Sequence, residues 1–254
     1  MIDTHAHLCD VAFAEDLDAV LARATAVGVD AVVAVGESLA DARRNLELAS
    51  AHPGTILPAA GLFPTRLDAA EADSLIDWIR RHAAELVAVG EVGLDHWKVE
   101  QGQPRDVQRD LFLRFVDLAL ELDLPLNVHS RAAGRETIET LLERGARRVQ
   151  MHAFDGRAAS ALPGVEAGFF FSVPPSVVRS RQKQKLVRRL PLECLLVETD
   201  SPVLGADPQE RNEPAAAALS LRAIAELKEL PVEAVREAVV ANAARLYRPS
   251  PSSS

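Results

Sequence analysis

Asp30-Ala31-Val32-Val33-Ala34-Val35 is the run whose reading decides the fold. After its first residue every position is apolar, so neither of the two faces that alternate along a strand is suited to water. A half-exposed strand alternates apolar with polar residues. One that is apolar on both faces is buried on both, as in a parallel sheet covered by helices. Ahead of this run, Leu17, Val20, Leu21, Ala24 and Val27 recur at helical spacing over 15–27, and Gly28 follows where a helix end favours glycine. Behind it the alternation continues. Helical periodicity over 39–50, 69–82, 107–122, 134–144 and 181–190 interleaves with strand-like runs at 56–60, 86–91, 125–129, 149–152, 168–171 and 195–200. Between 152 and 168 the sequence reads only as a short connecting segment.

With the opening stretch Met1-Ile2-Asp3-Thr4-His5-Ala6-His7 counted as the first, these make eight strands. Strand–helix alternation repeated eight times, at about 32 residues per unit, predicts an α/β fold of the (β/α)8 TIM-barrel type. The runner-up, a doubly wound open sheet, carries a glycine-rich phosphate loop after its first strand, and none is found here. Two further helices, 213–230 and 232–246, are expected on the outside or base of the barrel. The expected organisation is one domain over 1–248 and a disordered Pro/Ser tail over 249–254, which has nothing to bury.

Hydrophobic residues make up 48% of the chain, ample for a core, while aromatics are only 4%, which suits helices on a parallel sheet better than a base-stacking module. The net charge of −9, from 37 acidic and 28 basic residues, excludes a general nucleic-acid-coating surface. A polyanionic substrate must therefore be held locally, by metal ions and a few Arg or Lys. Cys9 and Cys194 form no Cys-x-x-Cys motif, which fits a reducing compartment. Met1 opens the first strand without a leader, and Arg23 and Asp30 interrupt the apolar run 20–35, so a cytoplasmic protein with no membrane span is expected, and a monomer.

In such a barrel, function sits at the carboxyl ends of the strands. Strand alternation puts Asp3, His5 and His7 on one face, and His-x-His at a strand end can bring two imidazoles to one ion. Later strand ends add Glu91, His129, His152 and Asp200. Four His, one Glu and one Asp are nearly enough for two divalent ions, with the two oxygens of Glu91 able to bridge; the set suits Zn or Mn, and Mg remains open. His52 and His82 lie near helix ends and read as surface residues, and His96 stays open.

The motifs 3–8 (Asp-Thr-His-Ala-His-Leu), 90–95 (Gly-Glu-Val-Gly-Leu-Asp), 128–131 (Val-His-Ser-Arg), 152–156 (His-Ala-Phe-Asp-Gly), 198–202 (Glu-Thr-Asp-Ser-Pro) and 211–214 (Arg-Asn-Glu-Pro) appear in order. Together they resemble the TatD family, metal-dependent hydrolases of the amidohydrolase superfamily commonly called deoxyribonucleases, from residue 1 to about 247. Gln108 and Phe112 fit the same pattern. The resemblance implies that His5, His7 and Asp200 hold one ion, that His129 and His152 hold a second, and that Glu91 bridges. Two positions depart from it. Gly61-Leu62-Phe63-Pro64 stands where relatives often have Gly-x-His-Pro, and Cys9 stands where an acid is common. The small Cys9 side chain reads as a buried one rather than a metal or redox group.

The expected reaction is two-metal hydrolysis of a phosphodiester in DNA, at ends or in single strands, with Asp200 as proton acceptor and Glu91 as the other catalytic carboxylate. Arg131 is the first candidate for gripping substrate and Arg66 and Lys98 are weaker ones, while Glu198 is expected to support a ligand histidine and Asn212 and Glu213 either do the same or start a helix. The same site could serve another phosphodiester or an ester or amide, such as misacylated tRNA or a lactone. A metal-binding protein without catalysis is the third reading.

Overall fold

The computed structural model describes residues 1–247, so the expectation for the tail at 249–254 lies outside the described residues. Eight strands pair side by side in chain order, all parallel: β1 (Ile2–Ala6), β2 (Ala31–Ala34), β3 (Ile56–Ala60), β4 (Ala88–Gly93), β5 (Leu126–His129), β6 (Val149–Met151), β7 (Phe170–Val173) and β8 (Leu195–Val197). Around them lie α1 (Leu17–Ala26), α2 (Leu39–Ala51), α3 (Ala69–His82), α4 (Gln103–Leu122), α5 (Gly134–Glu143), α6 (Ala158–Glu166), α7 (Arg181–Arg189), α8 (Ala217–Lys228) and α9 (Val232–Tyr247). β2 is buried at every position, as its unbroken apolar run requires.

Three of the helices, α2, α3 and α7, start where a side chain satisfies their free N–H groups. Ser38 accepts from Asp41, Asp68 from Ala70 and Glu71, and Ser180 from Lys183. α6 is a correction to the connecting segment read between β6 and β7. Its short length, its glycine and its internal Pro163 are poor markers of a helix in a sequence.

The sheet closes into a barrel where β1 meets β8. Asp200 N–H donates to the His5 carbonyl at 2.8 Å, His7 N–H donates to the Ser201 carbonyl at 2.8 Å, and the Thr4 hydroxyl donates to the Val197 carbonyl at 2.9 Å. α9 lies against the amino-terminal ends of the strands, where Ala243, Leu246 and Tyr247 pack with Ile2, Phe170 and Leu196. Above that apolar base sits a polar layer inside the barrel. Gln150 Nε2 donates to Thr4 Oγ1 (3.0 Å) and Ser172 Oγ (2.9 Å), and Asn127 Nδ2 donates to the Thr4 carbonyl (3.0 Å). The side chains of Asn127, Gln150 and Ser172 in this layer thus have partners, as burial demands.

β4 and β5 approach closely at Gly93, which has φ 150°, and a β-carbon there would collide with the His129 carbonyl. Gly93→Ala should cost roughly 1–3 kcal/mol in strain. For a chain of this size that lowers the thermal midpoint by about 3–10 °C. An unchanged midpoint in scanning calorimetry would contradict the close approach.

Candidate metal centre

β1 and β4 each carry one residue more than the strand beside them. β1 gains it between the pairs Asp3–Val32 and Ala6–Ala34, and β4 between Val89–Leu126 and Val92–Val128. Such bulges re-aim side chains. In β1 the bulge overturns the expectation that Asp3 shares a face with the histidines. Asp3 instead accepts from Thr199 N–H (2.9 Å) and the Thr199 hydroxyl (2.6 Å), and burial pushes its carboxyl up to about 7 against those hydrogen bonds. In β4 the bulge lies around Glu91, which is inside the strand rather than at its end, and turns up 1% exposed. β8 likewise stops at Val197, so Asp200 lies beyond the strand, with a left-handed backbone at φ 54°.

The six residues singled out in the sequence meet at the barrel mouth. His5 Nε2 and His7 Nε2 are 3.4 Å apart, and lie 3.4 and 3.3 Å from Asp200 Oδ1 and 3.7 and 3.5 Å from Glu91 Oε2. A tetrahedron with arms of about 2.0–2.2 Å, the usual ligand distances of zinc, has edges of roughly 3.3–3.6 Å. The His5, His7 and Asp200 atoms therefore fit one ion, and Glu91 Oε2 stands only slightly farther from the two imidazoles. Glu91 Oε2 is buried with no hydrogen-bond donor, an orphan that a cation would satisfy. On the other side of the same carboxylate, Glu91 Oε1 lies 2.7 Å from His129 Nδ1 and 3.0 Å from His152 Nε2, and these two nitrogens are 3.2 Å apart. This second set is drawn together by direct hydrogen bonds.

Residues outside the six hold the imidazoles in place. Asn127 Oδ1 accepts from His5 Nδ1 at 2.8 Å, and the donation of Asn127 Nδ2 to the Thr4 carbonyl fixes which end of the amide faces the ring. His5 Nε2 is thereby aimed at the cluster. Asp95 Oδ2 stands 3.1 Å from His129 Nε2, so Nδ1 of that ring faces Glu91. On His5, His129, Glu91 and Asp200 burial opposes charge, yet the opposite charges prevail. Burial lowers His5, but the Asp200 hydrogen bond and the Glu91 charge carry it up to about 10. His129 goes up to about 9, through Asp95 and Glu91 against burial. Burial likewise raises Glu91 and Asp200, and their histidine partners hold both well below the usual carboxylate range. An ion entering such a cage takes the place of the imidazole protons.

The cluster floors a cavity of about 400 Å³. Arg131 lines it, stacked with Cζ 5.3 Å from the centre of the Trp97 ring and with no ion pair among the described residues. Arg66 is held by Glu71 at 2.7 Å and Lys98 is exposed, and neither is among the residues lining this cavity. Glu198 was expected to hydrogen-bond a ligand histidine. It stands 3.8 Å from His152 Nδ1, too far for a hydrogen bond, and accepts from Ala153 N–H (2.7 Å) and the Ser172 hydroxyl (2.6 Å) instead. Asn212 braces the Thr199 and Val203 carbonyls, and Glu213 pairs with Arg23. Phe63 sets its ring 5.1 Å from that of His129, an apolar wall where relatives often have an imidazole.

The sequence reading did not pick out Asp95, Asn127, Glu37 or Lys183. Glu37 lines the cavity just after β2, a strand end like those that gave the six, so its position was signal enough. Lys183 lies on α7, donates from Nζ to the Ala153 carbonyl at 3.0 Å, and has its amine lowered by burial; no strand-end rule points to it.

A (β/α)8 barrel whose mouth gathers four imidazoles and two carboxylates into adjacent donor sets defines the class of metal-dependent barrel hydrolases. The model of the family described as TatD related DNase matches residues 2–248, and the chain belongs to that family. It is 42% identical to the Homo sapiens protein named Deoxyribonuclease TATDN3, over 97% of this chain and 94% of that one. It is 34% identical to the uncharacterized metal-dependent hydrolase YabD of Bacillus subtilis (strain 168), over 98% and 99% of the two chains. The crystal structure of YJJV, a TatD homolog from Escherichia coli k12, superposes with a TM-score of 0.89 at 29% identity, over 97% of each chain. The chain is accordingly a hydrolytic enzyme, and among its described residues no helix is long and apolar enough to cross a membrane.

Cys9 keeps its Sγ 3.9 Å from the Val35 carbonyl, and burial pushes both it and Cys194 up to about 12. The reactive thiolate is then scarce at pH 8. Both should react with iodoacetamide at below about one-thousandth of the rate of a free thiol. Mass spectrometry showing either alkylated as fast as in the urea-unfolded chain would contradict this.

Proposed function

We propose that the chain hydrolyses phosphodiester bonds in DNA, at ends or in single strands, with two divalent ions at the barrel mouth. The observation that carries this reading is the Glu91 carboxylate, which faces His5 and His7 with Oε2 and His129 and His152 with Oε1. One buried carboxylate divided between two imidazole pairs suits two adjacent cations. His5, His7 and Asp200 would hold one and His129 and His152 the other, with Glu91 between them. The donor set favours zinc or manganese. The human and other relatives named as deoxyribonucleases support DNA as substrate.

Such ions supply Lewis acidity, making a water able to lose its proton near neutral pH and offsetting the charge on the phosphoryl oxygens. The chain's own groups do the rest. Asp200 is ionised across the neutral range, and its Oδ2 has no hydrogen-bond partner among the described residues, so that oxygen takes the proton from the attacking water. Asp95 and Asn127 hold the His129 and His5 rings in register. Arg131 and Lys183 bring positive charge to the cavity wall, where an acidic chain of net charge −9 needs it for a phosphate. Phe63, Val203 and Leu204 give the wall apolar surface, which keeps water from the reacting phosphate.

Asp200→Asn should leave the fold and at least one ion in place while cutting hydrolysis of end-labelled single-stranded DNA by about 100-fold or more. Wild-type turnover would remove Asp200 from the chemistry. His5→Ala should lower the metal content found by elemental analysis, and unchanged content would refute the assigned ligands. A carboxylic ester outperforming both DNA and p-nitrophenyl phosphodiesters in kcat/KM would favour the ester-hydrolase reading instead.

A further inference from the structure

Trp97 leaves 67% of its surface exposed, beside Arg131 of the cavity wall. Isolated exposed apolar residues are ordinary, but the backbone beneath this one is unusually fixed. Trp97 N–H and Lys98 N–H both donate to Asp95 Oδ1, at 2.8 and 2.7 Å. The Arg105 guanidinium donates to the His96 and Val99 carbonyls, each at 3.1 Å, and His96 N–H donates to the Arg131 carbonyl at 2.9 Å. The indole is thus held out into solvent from a pinned loop. The loop is pinned through Asp95, the residue that also orients His129, and two residues of chain span at most about 7 Å.

Arg131, two residues beyond His129, lays its guanidinium over the indole and lines the cavity. A flat aromatic surface with a planar cation beside it is what stacks a nucleobase while the charge meets the neighbouring phosphate. The charge balance favours this means of holding a strand. With a net charge of −9 the chain lacks the basic coat that binds nucleic acid through its backbone, so grip on a strand must come from contacts insensitive to that charge.

We propose that Trp97, backed by Arg131, is the stacking surface for the base that flanks the scissile phosphate, and that the enzyme therefore prefers unpaired strand ends that present a base there. The inference deepens the phosphodiesterase reading above and rests on it. Inside a duplex both faces of a base are covered by its stacked neighbours, and at a paired end the base is held to its complement and is not free to turn onto the indole, so the same contact favours unpaired ends.

The test uses metal-loaded full-length enzyme and short single-stranded oligodeoxynucleotides whose terminal residues carry either a base or an abasic tetrahydrofuran, at each end in turn. Wild type should favour the base-bearing substrate at one end by about 5- to 100-fold in kcat/KM, Trp97→Ala should abolish that preference without changing the thermal midpoint, and Trp97→Phe should keep part of it. Binding is read separately from the quenching of tryptophan emission, which comes from Trp97 and the buried Trp78. Base-bearing strands should quench the Trp97 contribution and abasic strands should not. An equal loss on both substrates in Trp97→Ala, or no loss at all, overturns the stacking role while leaving the phosphodiesterase reading intact. Failure of wild type to cleave any strand overturns that reading instead; quenching by base-bearing strands would then still support the stack, and its absence would reject both.

Discussion

A charged carboxylate with almost no access to water is costly unless its neighbours compensate, and Glu91 is such a group. Around it the barrel is arranged to supply positive charge or its equivalent from several directions. His5 comes from β1 and His7 from just beyond it, His129 from β5 and His152 from just beyond β6, with Asp200 binding the first pair from the far side. Two of the imidazoles, His5 and His129, have their own orienting partners in Asn127 and Asp95, and through His5 the constraint passes downward. Asn127 in the layer below holds His5, and the Thr4 and Gln150 groups that surround Asn127 are in turn met by Tyr247 from α9. The polar layer inside an otherwise apolar barrel is thus the foundation of the site.

Much of this was legible in the sequence because the two strongest signals, apolar runs buried on both faces and polar residues interrupting them at their ends, are local. Those signals located the eight strands and brought His5, His7, Glu91, His129, His152 and Asp200 to notice, and they coincide at one mouth. What they missed depends on register or on long-range contact. The extra residues in β1 and β4 leave no mark in a hydrophobic pattern, so Asp3 looked like a neighbour of the histidines when it faces Thr199. Asn127 acts through the ring it holds, and nothing in its local sequence distinguishes it from any buried strand polar; Asp95 closes the 90–95 motif, but its bond to His129 is a contact between separate segments of the chain that the motif does not reveal. Lys183 reaches the cavity only because α7 packs as it does. α6 escaped because alanine, glycine and an internal proline blur helical periodicity.

The mouth also reconciles an acidic molecule with a polyanionic substrate. Attraction is concentrated in a few cations at the wall, and the rest of the surface is free to repel. Salt should therefore weaken substrate capture far less than it does for proteins that neutralise many phosphates at once. Phe63 fits the same economy of charge, setting apolar surface against His129.

The seam between β1 and β8 has a consequence for biosynthesis. The donors flanking it, His5 and His7 on one side and Asp200 on the other, are nearly two hundred residues apart in the chain. A nascent polypeptide leaving the ribosome from its amino end exposes its first two histidines long before the aspartate exists, and during that interval it has only half of this cage to offer an ion. Uptake of a metal at the proposed site would therefore be a late event that follows translation through the last strand. Once made, the link ties the earliest-synthesised strand to the latest across the closure of the barrel, much as a cross-link spanning most of the chain would.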